Sequence, residues 1–194
     1  MHSKLLLLLG PSGVGKTTII SKLRSLEDRF DYISPYITRT LRPGESDKIA
    51  VSKIEFRKME AEGRFLAVNE LYGTYYGTPR HLITTSFAAG RFPVLDWPVQ
   101  QLSIMQKEFG DRMLSVYVEP PDVDELARRL NDGRDKEGAR LKSALVELEL
   151  LRNGVWQSSI DLRVVSCVGQ QGEIARRIYD VYLSKVFGCR ASRV

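Results

Sequence analysis

Gly10-Pro11-Ser12-Gly13-Val14-Gly15-Lys16-Thr17 follows directly on Leu5-Leu6-Leu7-Leu8-Leu9, and the pairing of these two stretches decides the fold. Five consecutive leucines closed by Gly-Pro suit a strand apolar on both faces, the pattern of a central strand in a parallel sheet. The eight residues after it match G-x-x-x-x-G-K-[ST] in the context that motif requires, after a strand and opening a helix near Lys16. Glycines at 10, 13 and 15 let successive backbone N–H groups point at phosphate oxygens, and the helix start adds its positive dipole end. Lys16 would reach the outer phosphates, and the Thr17 hydroxyl would ligate magnesium. Pro11, Ser12, Val14 and Thr18 complete the loop and the first helical turn. The stretch from Gly10 to Thr18 is therefore expected to hold a nucleoside triphosphate with Mg2+.

Outward from this loop, short apolar runs recur at Pro93 to Leu95, Leu114 to Val118 and Leu162 to Val165, each followed by residues at helical spacing. Strands alternating with helices imply an α/β fold, a parallel sheet core flanked by helices with right-handed crossovers. Two stretches break the rhythm. From about Ser34 to Ala89 the chain is rich in Thr, Tyr, Arg and Gly, with strand-like pieces at Phe65 to Asn69 and Thr74 to Gly77, which reads as an inserted α+β lobe. Asn131 to Gly138, NDGRDKEG, lies between a helix ending near Leu130 and a long helix from about Ala139 to Arg152, and its composition suits a mobile lid. The expected organisation is one domain: core 1–33 and 90–194, acceptor-binding lobe 34–89 and lid 131–140. The tail from Gly188 is expected to fray.

Composition narrows the partners. The chain has 194 residues, enough to bury a core without staples, and a net charge of +5, which is a mild excess that a phosphate site would produce. Its basic residues form no long run beside aromatics, so nucleic acid is not an expected partner. The two cysteines, Cys167 and Cys189, with only His2 and His81 beside them, give no redox or zinc spacing. Lys4 with Leu5 to Leu9 is too short for a membrane span of roughly 18 residues, and cleavage of a signal peptide there would destroy the glycine loop. The expectation is a cytoplasmic protein, monomer or homodimer, with no membrane partner. An N-K-x-D guanine-reading motif occurs nowhere, which removes a switch GTPase.

GPSGVGK, Thr38-Arg39 with Arg42-Pro43-Gly44-Glu45, and Tyr75-Tyr76-Gly77-Thr78-Pro79-Arg80 together resemble the guanylate kinases among the nucleoside monophosphate kinases, over nearly the whole chain. Pro120-Pro121, Leu126 and Arg128-Arg129-Leu130 look like that family's approach to its lid. The resemblance implies a P-loop kinase that moves the γ-phosphoryl group of ATP to a small acceptor, with GMP or dGMP leading, through a core sheet, an acceptor lobe and a closing lid. A phosphomonoester acceptor calls for planar guanidinium forks and hydroxyl donors. Arg39, Arg42 and Tyr76 match the family's phosphate-holding positions, and Lys16, Arg134 and Arg140 are the candidates for charge delivered to the transferred group.

The departures from the family fall in the acceptor lobe. Pro35 stands where a hydroxyl-bearing Ser is usual, and the stretch after R-P-G-E is about three residues shorter and has no tyrosine. The family's two guanine-reading carboxylates correspond to Ala67 and Pro98. Strand alternation puts Asn69 on the face of Ala67, so Asn69 with Thr78 is expected to form a substitute reader. Asp96, ending a strand at the sheet's C-terminal edge, is expected to hold magnesium through water or to hold the acceptor.

Tyr36-Ile37-Thr38-Arg39, Ile49-Ala50-Val51-Ser52 and Glu55-Phe56 also resemble the ribose 1,5-bisphosphate phosphokinases, whose sugar phosphate acceptor has no base to read. A third reading is a peptide-binding scaffold that has lost catalysis. It is opposed by intact Lys16 and Thr17, for which a scaffold has no chemical need.

Overall fold

The computed structural model describes residues 3–71, 73–131, 133 and 138–188. β1 (Leu5–Leu9) is buried along its whole length and pairs in parallel on both sides. Its side chains alternate between two cores. Leu6 and Leu8 join one apolar cluster, and Leu5, Leu7 and Leu9 join the other. That two-sided burial is why an unbroken leucine run, rather than an alternating one, occupies the middle of the sheet.

The remaining core strands are β2 (Phe30–Tyr32), β7 (Phe92–Asp96), β8 (Met113–Glu119) and β9 (Leu162–Val165), in the parallel order β2-β7-β1-β8-β9. β2 was not legible in the sequence: it is a three-residue edge strand in which only Phe30 is fully buried, too short for its pattern to stand out. On one face of the sheet lie α1 (Lys16–Leu26) and α7 (Gln171–Phe187), which bury Ile19, Ile20 and Leu23 against Ile174, Ile178 and Tyr182. On the other lie α3 (Arg80–Ala88) and α4 (Leu102–Phe109), through Ile83, Leu102 and Met105. α5 (Val123–Leu130) and α6 (Ala139–Arg152) close the C-terminal edge, and α6 reaches both clusters through Leu148 and Leu151.

Within the 34–89 stretch, β3 (Tyr36–Ile37), β4 (Ile49–Ala50), β5 (Phe65–Leu71) and β6 (Thr74–Pro79) form a second, mixed sheet in the order β4-β3-β6-β5. α2 (Lys53–Ala61) is capped by Ser52, whose hydroxyl accepts from the Glu55 N–H at 3.1 Å, and packs Phe56 on the Phe65 ring at 4.7 Å. Gly77 leaves room for that ring: a Cβ there would lie 2.6 Å from Phe65.

Among the described residues no helix is long and apolar enough to cross a membrane. Arg134 and the tail from Cys189 lie outside the described residues. Of the 131–140 stretch, Ala139 and Arg140 already belong to the first turn of α6.

Candidate active site

The glycine loop joins β1 to α1 at the C-terminal edge of the sheet. Gly10, Gly13 and Gly15 all have positive φ, at 124°, 87° and 95°, a region that favours glycine. Gly10 has a second constraint, because a Cβ there would stand 2.3 Å from the Val118 carbonyl oxygen on β8. Gly10→Ala is expected to cost about 2 kcal/mol or more of stability from strain and overlap together, read as a lowered denaturation midpoint with an unchanged denaturant slope.

Lys16 is buried and folds back over the loop, its ammonium donating to the Gly10 and Pro11 carbonyls at 2.5 and 2.9 Å. The same nitrogen lies 3.5 Å from the Asp96 carboxylate at the end of β7. Parallel pairing of β1 with β7, Leu8 opposite Asp96, brings that carboxylate to the loop. Thr17 and Thr18 are exposed on the first turn of α1. Arg140, at the start of α6, donates to the Ser12 hydroxyl at 2.7 Å, which lays α6 against the loop.

A second brace comes from Arg129, to which the sequence assigned no role of its own. Its guanidinium is held by Glu125 at 2.7 Å and donates to the Ser166 carbonyl at 2.9 Å, tying α5 to the loop that follows β9. The i, i+4 spacing from Glu125 was the available signal, but it cannot show a partner in Ser166.

In the second sheet, Thr38 is pinned twice to Tyr75: its N–H donates to the Tyr75 carbonyl at 3.2 Å and its hydroxyl accepts from the Tyr75 N–H at 3.0 Å. That double tie sets Arg39 beside Tyr76. The Arg39 guanidinium donates both terminal nitrogens to Glu45 at 2.7 Å, a bidentate pair. Glu45 raises the pKa of Arg39 above its usual value, with a smaller contribution from the Tyr76 hydroxyl. Glu45 also accepts from the Arg42 N–H at 3.0 Å and meets the Lys48 ammonium at 3.2 Å. Arg39 holds its carboxyl well below the usual carboxylate range. The Arg42 side chain is exposed. Glu45 and Lys48 are thus functional candidates the sequence did not single out, although Glu45 ends the R-P-G-E block at spacings that suit an arginine hub.

Arg39 Nε and Asn69 Oδ1 are both buried without a hydrogen-bond partner. In the β5–β6 hairpin Asn69 stands opposite Tyr76 and Ala67 opposite Thr78, so these four side chains share one face. Ala67, like its neighbour Leu66, packs against the core cluster that contains Leu95 and Trp97. Tyr32, at the end of β2, packs against the cluster beneath α1 and α7. Burial pushes its phenol pKa up, and the negative charges of Asp96, Asp47 and Glu45 add to that rise.

A parallel sheet with a glycine loop and a buried lysine at its C-terminal edge is the architecture of a P-loop phosphotransferase. The guanylate kinase family model matches residues 2–158. The guanylate kinase of Gluconobacter oxydans is 35% identical over 150 residues, covering 74% of this chain and 72% of that protein. The guanylate kinase of Trichormus variabilis is 34% identical over 153 residues, covering 75% and 76%. The chain belongs to the guanylate kinase family. Among solved structures, guanylate kinase from Anaplasma phagocytophilum superposes with a TM-score of 0.74 at 24% identity, over 95% of this chain and 86% of that one. Shikimate kinase from Acinetobacter baumannii gives 0.53 at 16% identity over 94% of each chain, a likeness of fold alone.

Proposed function

We propose that the protein transfers the γ-phosphoryl group of ATP to GMP or dGMP, releasing ADP and the nucleoside diphosphate. The observation that carries this reading is the glycine loop with the buried Lys16 ammonium folded over it, 3.5 Å from Asp96, in a chain of the guanylate kinase family whose Arg39 is fixed by Glu45 beside Tyr76. We read the protein as a monomer or a homodimer and, because its substrates are free nucleotides, as cytoplasmic.

The acceptor's phosphate oxygen forms a bond to the γ-phosphorus as the bond to the β,γ-bridging oxygen breaks and its electron pair leaves with ADP. This requires no nucleophile from the protein, only in-line placement and positive charge. Backbone N–H groups of the Gly10–Gly15 loop cradle the donor phosphates. Lys16 exchanges its two carbonyl partners for phosphate oxygens, and Arg140 is placed to do the same with its Ser12 contact. Arg134 joins them in the reading from family position. Arg39, Arg42 and Tyr76 hold the acceptor phosphate.

Magnesium fits this donor set. The Thr17 residue exposed on the first turn of α1 offers a hydroxyl, and Asp96, 3.5 Å from the Lys16 ammonium, offers a carboxylate. Both are hard oxygen donors of the kind that nucleotide-bound magnesium takes in small number from a protein. Bound there, it would neutralise charge on the donor phosphates.

ADP release with GMP, dGMP, AMP, UMP, CMP and ribose 1,5-bisphosphate tests the reading. Turnover should be highest with GMP or dGMP, and turnover on the sugar bisphosphate alone would overturn it. Asn69, with Thr78 on the same face, is the base reader in this account, because its orphaned Oδ1 can accept from a guanine N–H. Asn69→Ala should raise the KM for GMP about tenfold, since the lost bond leaves a base donor unpaired at roughly 1–3 kcal/mol. An unchanged KM removes Asn69 from the site.

A further inference from the structure

The carboxylate of Glu147, in α6, is buried at 7% exposure and serves none of the steps above. One oxygen accepts from the Tyr117 hydroxyl on β8 at 2.7 Å, and the other accepts from the Gln100 side-chain amide at 3.0 Å. Burial and the adjacent Glu147 charge both push the Tyr117 phenol pKa up, so it stays a donor. A carboxylate withdrawn from water is costly unless it is hydrogen-bonded, and the two bonds that hold this one also fit it for a task.

Its neighbours indicate the task. Glu147 lies seven residues after Arg140, two helical turns along nearly the same face and about 10 Å away along the axis. Gln100 lies four residues after Asp96. Three side-chain ties therefore close a ring around the site: Arg140 to Ser12 joins α6 to the glycine loop, Lys16 to Asp96 joins that loop to the end of β7, and Glu147 to Gln100 joins the segment after β7 back to α6. The first two ties are made by groups that must exchange partners when phosphates arrive. The third involves neither a loop residue nor a phosphate-holding arginine and can persist throughout.

We infer that Glu147 is a positioning residue, which keeps α6, and with it Arg140, in register with the end of β7 while the other two ties are exchanged. This rests on the phosphotransferase reading. A shift of about 1 Å in such a helix is enough to cost on the order of 100-fold in rate.

Glu147→Leu should lower kcat about 30- to 100-fold with the KM values for ATP and GMP within about threefold, because charge is misplaced rather than substrate affinity lost. Glu147→Gln should recover kcat to within about fivefold, since its amide still accepts from Tyr117 and can donate to the Gln100 carbonyl oxygen. Gln100→Ala alters the exposed end of the tie without opening a cavity in the core, and should lower kcat about three- to tenfold in a protein that remains folded at the assay temperature. Hydrogen exchange provides a readout that needs no turnover: amides of 99–101 and 139–152 should lose protection together in both Gln100→Ala and Glu147→Leu. If Gln100→Ala and a folded Glu147→Leu keep kcat within twofold, or if exchange in the two segments is unchanged, the inference is wrong. A parent protein inactive on every acceptor would instead count against the phosphotransferase reading, with exchange still deciding the role of Glu147.

Discussion

Lys16→Ala should lower kcat by at least about 10³-fold while the protein remains folded, the scale expected when a preorganised charge at the reacting group is removed. The ammonium is buried at the mouth of the loop and rests on the Gly10 and Pro11 carbonyls, 3.5 Å from Asp96. Those three acceptors hold it where the outer phosphates of a nucleotide would arrive, so it reaches them by exchanging partners rather than by a large movement. Its loss removes a catalytic charge without removing an apolar contact from either core cluster, and the loop backbone stays set by its glycines and by Val118 behind Gly10. Lys16→Arg should also be poorly active, because a planar fork cannot take the place of a compact ammonium between two carbonyls. ADP release and a thermal melt on the same preparations separate the two effects. A folded Lys16→Ala protein retaining a tenth of the parent's turnover would overturn the role.

The donor side was legible because its chemistry is local. Strand, loop, lysine and helix follow one another in the sequence, so Leu5 to Thr17 carries its structural context with it. The acceptor side was legible only as residue types. Arg39 and Tyr76 could be named, but their adjacency depends on Thr38 bonding twice to Tyr75, a contact between residues 37 positions apart. Glu45 stood in view within R-P-G-E, yet its service as common partner to Arg39, Lys48 and the Arg42 N–H is a three-dimensional fact. Gln100, Tyr117 and Glu147 were not legible at all. Each sits in a different element at no characteristic spacing, and only the parallel sheet and the return of α6 bring them together. β2 was missed for the opposite reason: it is local, but at three residues it carries too little pattern to be read.

Arg39→Ala should raise the KM for GMP at least about 100-fold and leave the KM for ATP within about threefold, since removing the charged partner of a phosphate across a binding interface costs about 2–5 kcal/mol or more. Part of that loss comes from the partner left behind. Glu45 has only 11% of its side chain exposed and is neutralised chiefly by Arg39 at 2.7 Å. Without the guanidinium its carboxylate stays, held by Lys48 and the Arg42 N–H, and repels the incoming phosphate dianion. The two residues should therefore be strongly non-additive. Adding Glu45→Gln to Arg39→Ala should recover several-fold of the lost affinity, whereas Glu45→Gln alone should weaken GMP binding by releasing Arg39 from its fixed geometry. Arg39→Lys should fall between, keeping the charge but not the fork that satisfies Glu45 through two nitrogens. Steady-state KM values for GMP across these four variants measure the coupling directly. If the double variant binds GMP no better than Arg39→Ala, Glu45 does not act on the acceptor phosphate, and if Arg39→Ala leaves the KM for GMP unchanged, Arg39 is not its ligand.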